Sequence, residues 1–154
     1  MMNSEKEKML LGKIYYANDK LLNEDRLRAK KLLHKLNVTE YLMNGKSRAI
    51  LRELLPNSHK RLYVEPPFHC DYGYNIYSGE NVYFNVNCVV LDAMKVIIGN
   101  NVFFGPGVQI YTASHPLNAI ERRTVEFAKP VTIGSDCWIG GNAIICPGVT
   151  IGDG

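Results

Sequence analysis

Val131–Gly154 reads VTIGSDCWIGGNAIICPGVTIGDG. An Ile-Gly pair recurs at Ile133-Gly134, Ile139-Gly140 and Ile151-Gly152, and Ile145-Cys146 fills the remaining slot, so the step is six residues throughout. A helix repeats every ~3.6 residues and a half-buried strand every ~2, and neither asks for six. A hexad is the mark of a β-helix, in which each repeat supplies one short strand and one corner of a three-sided coil. The aliphatic first residue points inward, and a small or β-branched fifth residue (Val102, Val108, Ala143, Val149) fills the space beside it. Gly at the second position, with Asn, Asp or Gly just after, suits corners that need left-handed backbone.

Working outward, strong hexads begin at Ile98, Phe104, Ile110, Ile133, Ile139 and Ile145. Weaker ones begin at Tyr72, Ser78, Phe84 and Val90, with Ile76, Val82 and Cys88 at their fifth positions. The frames of Val90 and Ile98 differ by two residues, which predicts a small bulge between them. The expected fold is therefore mainly β: a parallel β-helix over residues 61–154, interrupted by a loop at 116–130.

Residues 1–60 carry a different period. Ser4 followed by Glu7 is a capping box and opens a short helix through Met9, Leu10 and Ile14. Leu22, Arg26, Ala29, Leu33 and Leu36 recur at three- or four-residue spacing, and Arg28, Lys30, Lys31 and Lys35 are read as the solvated face. A third helix through Ala49, Ile50, Leu54 and Leu55 ends at Pro56. This leader is expected to pack on the prism rather than to hold a core of its own.

The net charge of +3 is small, and no Lys/Arg block sits among exposed aromatics, so nucleic acid is not an expected partner. No apolar run approaches the ~20 residues that span a bilayer, and MMNSEKEKML lacks a signal-peptide core, so no membrane partner is expected. Cys70, Cys88, Cys137 and Cys146 form no C-x-x-C pattern and read as buried or half-buried free thiols, in keeping with a reducing cytoplasm.

In repeat folds, insertions carry much of the binding chemistry. The hexads fail after His115, where HPLNAIERRTVEFAKP intervenes. His34 lies on the polar side of a helix, His59 in a linker and His69 in an apolar-aromatic strand. Only His115 stands within good hexads, on a rigid wall at the root of the insertion, and it is the candidate functional histidine.

The stretches EPPFHCDYGYNI, NVYFNVNCVVLD, YTASHP and KPVTIGSDCWIGGNAIICPGVTIGD, in that order behind the leader SEKEKMLLGKIYYANDKLLNEDRLRAKKLLHKLN, resemble the maltose and galactoside O-acetyltransferases over essentially the whole chain. The resemblance implies a left-handed coil, acetyl-CoA as co-substrate, no metal, and a sugar such as maltose, glucose or a galactoside as acceptor. It implies a homotrimer with shared sites; a flat aliphatic prism face would also give neighbours something to bury. It implies that His115 is the general base, since a bare alcohol is a poor nucleophile at neutral pH and imidazole has suitable basicity. Glu126 matches an acid in the family's loop, and reads either as the group that orients His115 or as a solvated carboxylate. Acceptor contacts map onto Arg26, Asp71, Tyr83, Asn85 and Asp92. Coenzyme A contacts map onto Asn85, Trp138, Gly141 and Asn142, with Trp138 also readable as an exposed corner aromatic at a subunit interface. The leader departs from the family at Tyr16 and Ala17, where an aspartate is usual and where Asn18 or Asp19 could substitute.

Other readings stay open at this level. A zinc site of the γ-carbonic anhydrase kind needs about three protein ligands, and the good hexads hold one histidine. An acetyltransferase for a non-sugar hydroxyl and a non-catalytic β-helical scaffold are the alternatives. Ile151–Gly154 reads as a hexad cut at its corner. The expectation is a shortened family member whose last coil is covered by a neighbour or frayed, and whose hold on coenzyme A is weak.

Overall fold

The computed structural model describes residues 3–38 and 45–154. Helix α1 (Glu5–Leu10) is closed by the expected capping box: Ser4 Oγ accepts from Glu7 N at 3.2 Å, and Ser4 N donates to the Glu7 carboxylate at 2.7 Å. It ends four residues before Ile14, which is 57% exposed, because the chain reverses at Gly12 with φ +67°. Helix α2 (Lys20–Asn37) starts at Asp19, whose side chain accepts from Leu21 N and Leu22 N. Helix α3 (Gly45–Leu54) follows, with Leu55 buried just beyond it.

Four coils make up the prism. The first holds β1 (Tyr63–Val64), β2 (Phe68–Cys70) and β3 (Ile76–Ser78); the second holds β4 (Tyr83–Phe84), β5 (Cys88–Leu91) and β6 (Val96–Ile98). The third holds β7 (Phe103–Phe104), β8 (Gln109–Tyr111), the insertion strands β9 (Ala113–Ser114) and β10 (Phe127–Ala128), and β11 (Val131–Ile133). The fourth holds β12 (Trp138–Ile139), β13 (Ile144–Ile145) and β14 (Thr150–Ile151). Strands stack in parallel, face on face, as β1-β4-β7-β12, β2-β5-β8-β13 and β3-β6-β11-β14. The inward residues pile into one apolar column. Phe84 and Phe104 stack at 4.4 Å between ring centres, and Phe68 lies 5.4 Å below Phe84. Burying each ring contributes ~2–3 kcal/mol.

The corners divide two requirements that the sequence reading had merged. Left-handed backbone falls on the fourth residue of the hexads that begin at Ile98, Ile133 and Ile139: Asn101 at φ +55°, Asp136 at φ +61° and Asn142 at φ +59°. The glycine at the second position answers to close stacking instead. A Cβ on Gly99 would come within 2.7 Å of the Gly134 carbonyl carbon in the coil above.

The predicted bulge is present, and it recurs. Leu91 to Val96 spans the corner between β5 and β6, and its counterpart between β2 and β3 is widened in the same way, since Cys70 stacks on Val90 and Ser78 on Ile98. Tyr72 therefore opens no hexad. It is buried in the wide corner of the first coil, in a second apolar cluster with Met9, Tyr15, Leu22, Ala93 and Ala128. Wide corners stack along one edge of the prism, and the third of them is the insertion.

The leader closes the bottom of the prism. Asn37 offers its amide to Phe68 as a strand would, donating to Phe68 O at 2.9 Å and accepting from Phe68 N at 3.0 Å. His59 N donates to Ser78 O at 3.1 Å. These bonds satisfy an edge that would otherwise template aggregation. Ala29, Leu32, Leu36, Leu51 and Leu54 share one continuous cluster with the inward residues of the coils. Arg28 is a correction to the solvated face: its guanidinium donates to Glu53 O and Tyr72 O, both at 3.1 Å, joining α2 to α3 and to the wide corner. Cys70, Cys88 and Cys137 are buried free thiols, whereas Cys146 is exposed. No described helix is long and apolar enough to cross a membrane.

Candidate active site

The insertion, expected as an extended loop, is a hairpin. β9 and β10 run antiparallel with Ser114 opposite Phe127 and Ala113 opposite Ala128, and a 3-10 turn (Glu121–Arg123) lies at the tip. The next pair along this ladder is His115 and Glu126. Directly opposed residues of an antiparallel pair project to the same side, ~4.5–5.5 Å apart at Cβ. Accordingly His115 Nε2 stands 3.6 Å from Glu126 Oε2. That separation is a charge contact rather than a hydrogen bond. The imidazole is more than half exposed and the carboxylate mostly buried, with side-chain exposures of 57% and 18%.

A third strand segment completes the row. Tyr15, in the leader between α1 and α2, bridges antiparallel to Glu126 and donates its phenol to Glu126 Oε1. Burial, then the neighbouring Glu126 carboxylate, drive the Tyr15 phenol pKa far above its ordinary value. Sequence reasoning missed this residue. The only signal was a pair of aromatics in a segment, KIYYAND, with no helical period to explain them.

Around this row lies an open cleft, continuous with solvent, lined among others by Asn18, Arg26, Asp71, Tyr72, Tyr111 and His115. Arg26 donates to the Tyr72 hydroxyl at 2.6 Å and to Ala17 O and Asn23 Oδ1, both at 2.5 Å. Its guanidinium thus fixes the leader loop against the wide corner while lining the cleft. Burial raises the Asp71 carboxyl above its usual range, an effect that the Arg26 charge opposes. Burial likewise pushes the Tyr72 phenol up to about 12. Ala17 and Asn18 both line the cleft, so the leader positions singled out in the sequence lie on its wall.

The remaining predicted residues lie elsewhere. Asp92 is fully buried, with one carboxylate oxygen accepting from Asp71 N at 3.1 Å and Tyr72 N at 2.9 Å, and the other from Asn75 N at 3.2 Å. Asp92, expected as an acceptor contact, is placed under the turn that carries Asp71 and Tyr72, and its bonds shape that turn. Burial outweighs these N–H donors and pushes the Asp92 carboxyl up to about 7. Tyr83 stacks on Tyr63 at 5.4 Å on the outside of the β1-β4-β7-β12 face. Asn85 follows β4 at the next corner, its Oδ1 accepting from Val86 N at 2.8 Å. Trp138, 80% exposed, lies on the same outer face beside Phe103, and Gly141 and Asn142 form the corner above Asn85. In a three-sided coil that face is opposite the wide edge bearing His115. A single chain therefore gathers Arg26, Asp71, His115 and Glu126, and keeps Tyr83, Asn85, Trp138, Gly141 and Asn142 apart from them.

A hexad-built prism with a histidine on a projecting hairpin defines the hexapeptide-repeat acyltransferase class. The hexapeptide-transferase model (six repeats) matches residues 130–154, and the maltose acetyltransferase hexapeptide capping motif matches residues 8–58. A maltose O-acetyltransferase from Clostridium difficile 630 is 50% identical with a TM-score of 0.95, over 98% of this chain and 81% of its own. A galactoside acetyltransferase in complex with coenzyme A is 33% identical with a TM-score of 0.91, over 97% and 75%. A Vibrio cholerae hexapeptide-repeat acetyltransferase in complex with acetyl coenzyme A is 38% identical with a TM-score of 0.87, over 98% and 82%. The chain belongs to the maltose and galactoside O-acetyltransferase family, and its prism is a left-handed parallel β-helix.

Proposed function

We propose that this protein moves an acetyl group from acetyl coenzyme A to a hydroxyl of a sugar of the maltose, glucose or galactoside kind, with His115 as general base. The observation that carries the reading is the His115–Glu126 pair at 3.6 Å, held by a hairpin over an open cleft that Arg26 and Asp71 also line. The acceptor oxygen bonds to the thioester carbonyl carbon as its proton passes to the imidazole. The carbon–sulfur bond then breaks, and the proton goes from the imidazolium to the departing sulfur, leaving a thiol and a neutral histidine. Glu126 stabilises the transient imidazolium, as a carboxylate beside a base does. Asp71 and Arg26 offer charged partners to acceptor hydroxyls on the opposite wall.

Coenzyme A lies along the outer face, against the exposed indole of Trp138 and the corner of Gly141 and Asn142. Because these residues and Asn85 lie across the prism from His115, the working unit is a homotrimer in which one copy's wide edge meets another's outer face. Three buried free thiols suit a reducing cytoplasm. The test is a panel of sugars with acetyl coenzyme A, read as thiol release, beside calorimetry of coenzyme A binding. Acetylation of sugars supports the reading. Binding without turnover on any sugar hydroxyl, or turnover confined to non-sugar alcohols, overturns it.

A further inference from the structure

Three side chains, two from one hairpin and one from the distant leader, stand in one cross-strand row: His115, Glu126 and Tyr15. Tyr15 and Glu126 exchange both backbone hydrogen bonds, at 3.0 and 3.1 Å, and the Tyr15 phenol donates to Glu126 Oε1. The other oxygen, Oε2, faces His115 Nε2 at 3.6 Å. Tyr15 is itself 1% exposed, packed with Met9, Leu22, Tyr72, Ala93 and Ala128. A carboxylate on a two-stranded hairpin has free rotation about its own side-chain bonds. Here one oxygen is tied down by a phenol that cannot move, and the other is thereby aimed.

We infer that Tyr15 is a positioning residue for the histidine: it locks the Glu126 carboxylate against His115, so that the leader segment finishes the catalytic row. This inference rests on the acetyl-transfer reading above. The phenol stays protonated, since burial and the adjacent carboxylate both oppose its ionisation. It orients and does not exchange protons with the acceptor.

The logic predicts a particular pattern of non-additivity. Tyr15→Phe keeps the ring, its packing and both backbone bonds, and removes only the hydroxyl. With the best acceptor from the sugar panel, kcat should fall about tenfold while KM for acetyl coenzyme A stays within about twofold. Because the hydroxyl acts only through Glu126, adding Tyr15→Phe to Glu126→Gln should slow the enzyme by less than about twofold further. Multiplicative losses would mean that Tyr15 acts independently of the carboxylate and would overturn the inference, as would a Tyr15→Phe chain that fails to fold. His115→Ala, measured alongside, separates the two levels. Wild-type turnover by His115→Ala removes the underlying reading, whereas an inactive His115→Ala beside a fully active Tyr15→Phe removes this inference alone.

Discussion

Tyr15 and Glu126 are separated by 111 residues in sequence and share a pair of antiparallel backbone hydrogen bonds. The contact joins the leader to the hairpin at the residue next to the candidate base. It makes the leader part of the site as well as a cover for the bottom of the prism.

His115→Ala should lower kcat by a factor of about 10²–10⁴ with the KM for acetyl coenzyme A nearly unchanged, because general-base assistance of that size is lost. Steady-state kinetics on the best sugar acceptor checks this. A variant that keeps more than about a third of the wild-type kcat removes His115 from the mechanism.

Tyr83, Asn85 and Trp138 are on the side of the prism away from His115, so each active site should draw on two copies. Asn85→Ala and His115→Ala should each be nearly inactive. Randomly mixed trimers of the two should recover about a quarter of wild-type activity, since a site with both intact halves forms at that frequency. Co-expression and assay of the mixed species is the measurement, and absence of recovery in trimers shown to be mixed counts against shared sites.

Trp138 is the one tryptophan of the chain and is 80% exposed. Coenzyme A should quench or shift its fluorescence on titration, and Trp138→Ala should raise the KM for acetyl coenzyme A about tenfold with little change in kcat. An emission spectrum that ignores coenzyme A would leave the indole as an interface or surface residue.

Asp92 gives a pH signature. Its carboxyl is raised by burial to about 7 when folded, against ~3.9 unfolded, so the native state holds the extra proton between these values. The stability it contributes is fully present below ~pH 4 and is lost as pH rises through about 7. Asp92→Asn cannot titrate. Relative to this variant, wild type should lose melting temperature on the order of 5 °C between pH 5 and pH 8. Parallel melting curves across that range would show that Asp92 stays charged throughout.

The prism was legible because a hexad is a local, repeated statement: Ile133, Ile139, Ile145 and Ile151 each face the axis for the same reason. The two-residue slip before Ile98 was visible in the same way, and so was the capping box of Ser4 and Glu7. His115 stood out because it sits where the period breaks. What the hexads could not carry was anything set by pairing between distant segments. The insertion has no period, so its register of Ser114 on Phe127 was hidden, and with it the juxtaposition of His115 and Glu126. Tyr15 lies outside every repeat and acquires its partner only when the leader folds back on the wide edge. Asp92 is matched to an acceptor contact by resemblance alone, and only the tertiary fold shows its oxygens accepting from the backbone of Asp71, Tyr72 and Asn75. The sequence by itself determined the coil, through side chains that need only their own period to be buried. Only the tertiary structure decided the site, because hydrogen-bond partners across a wide corner depend on which segments the closed coil brings together.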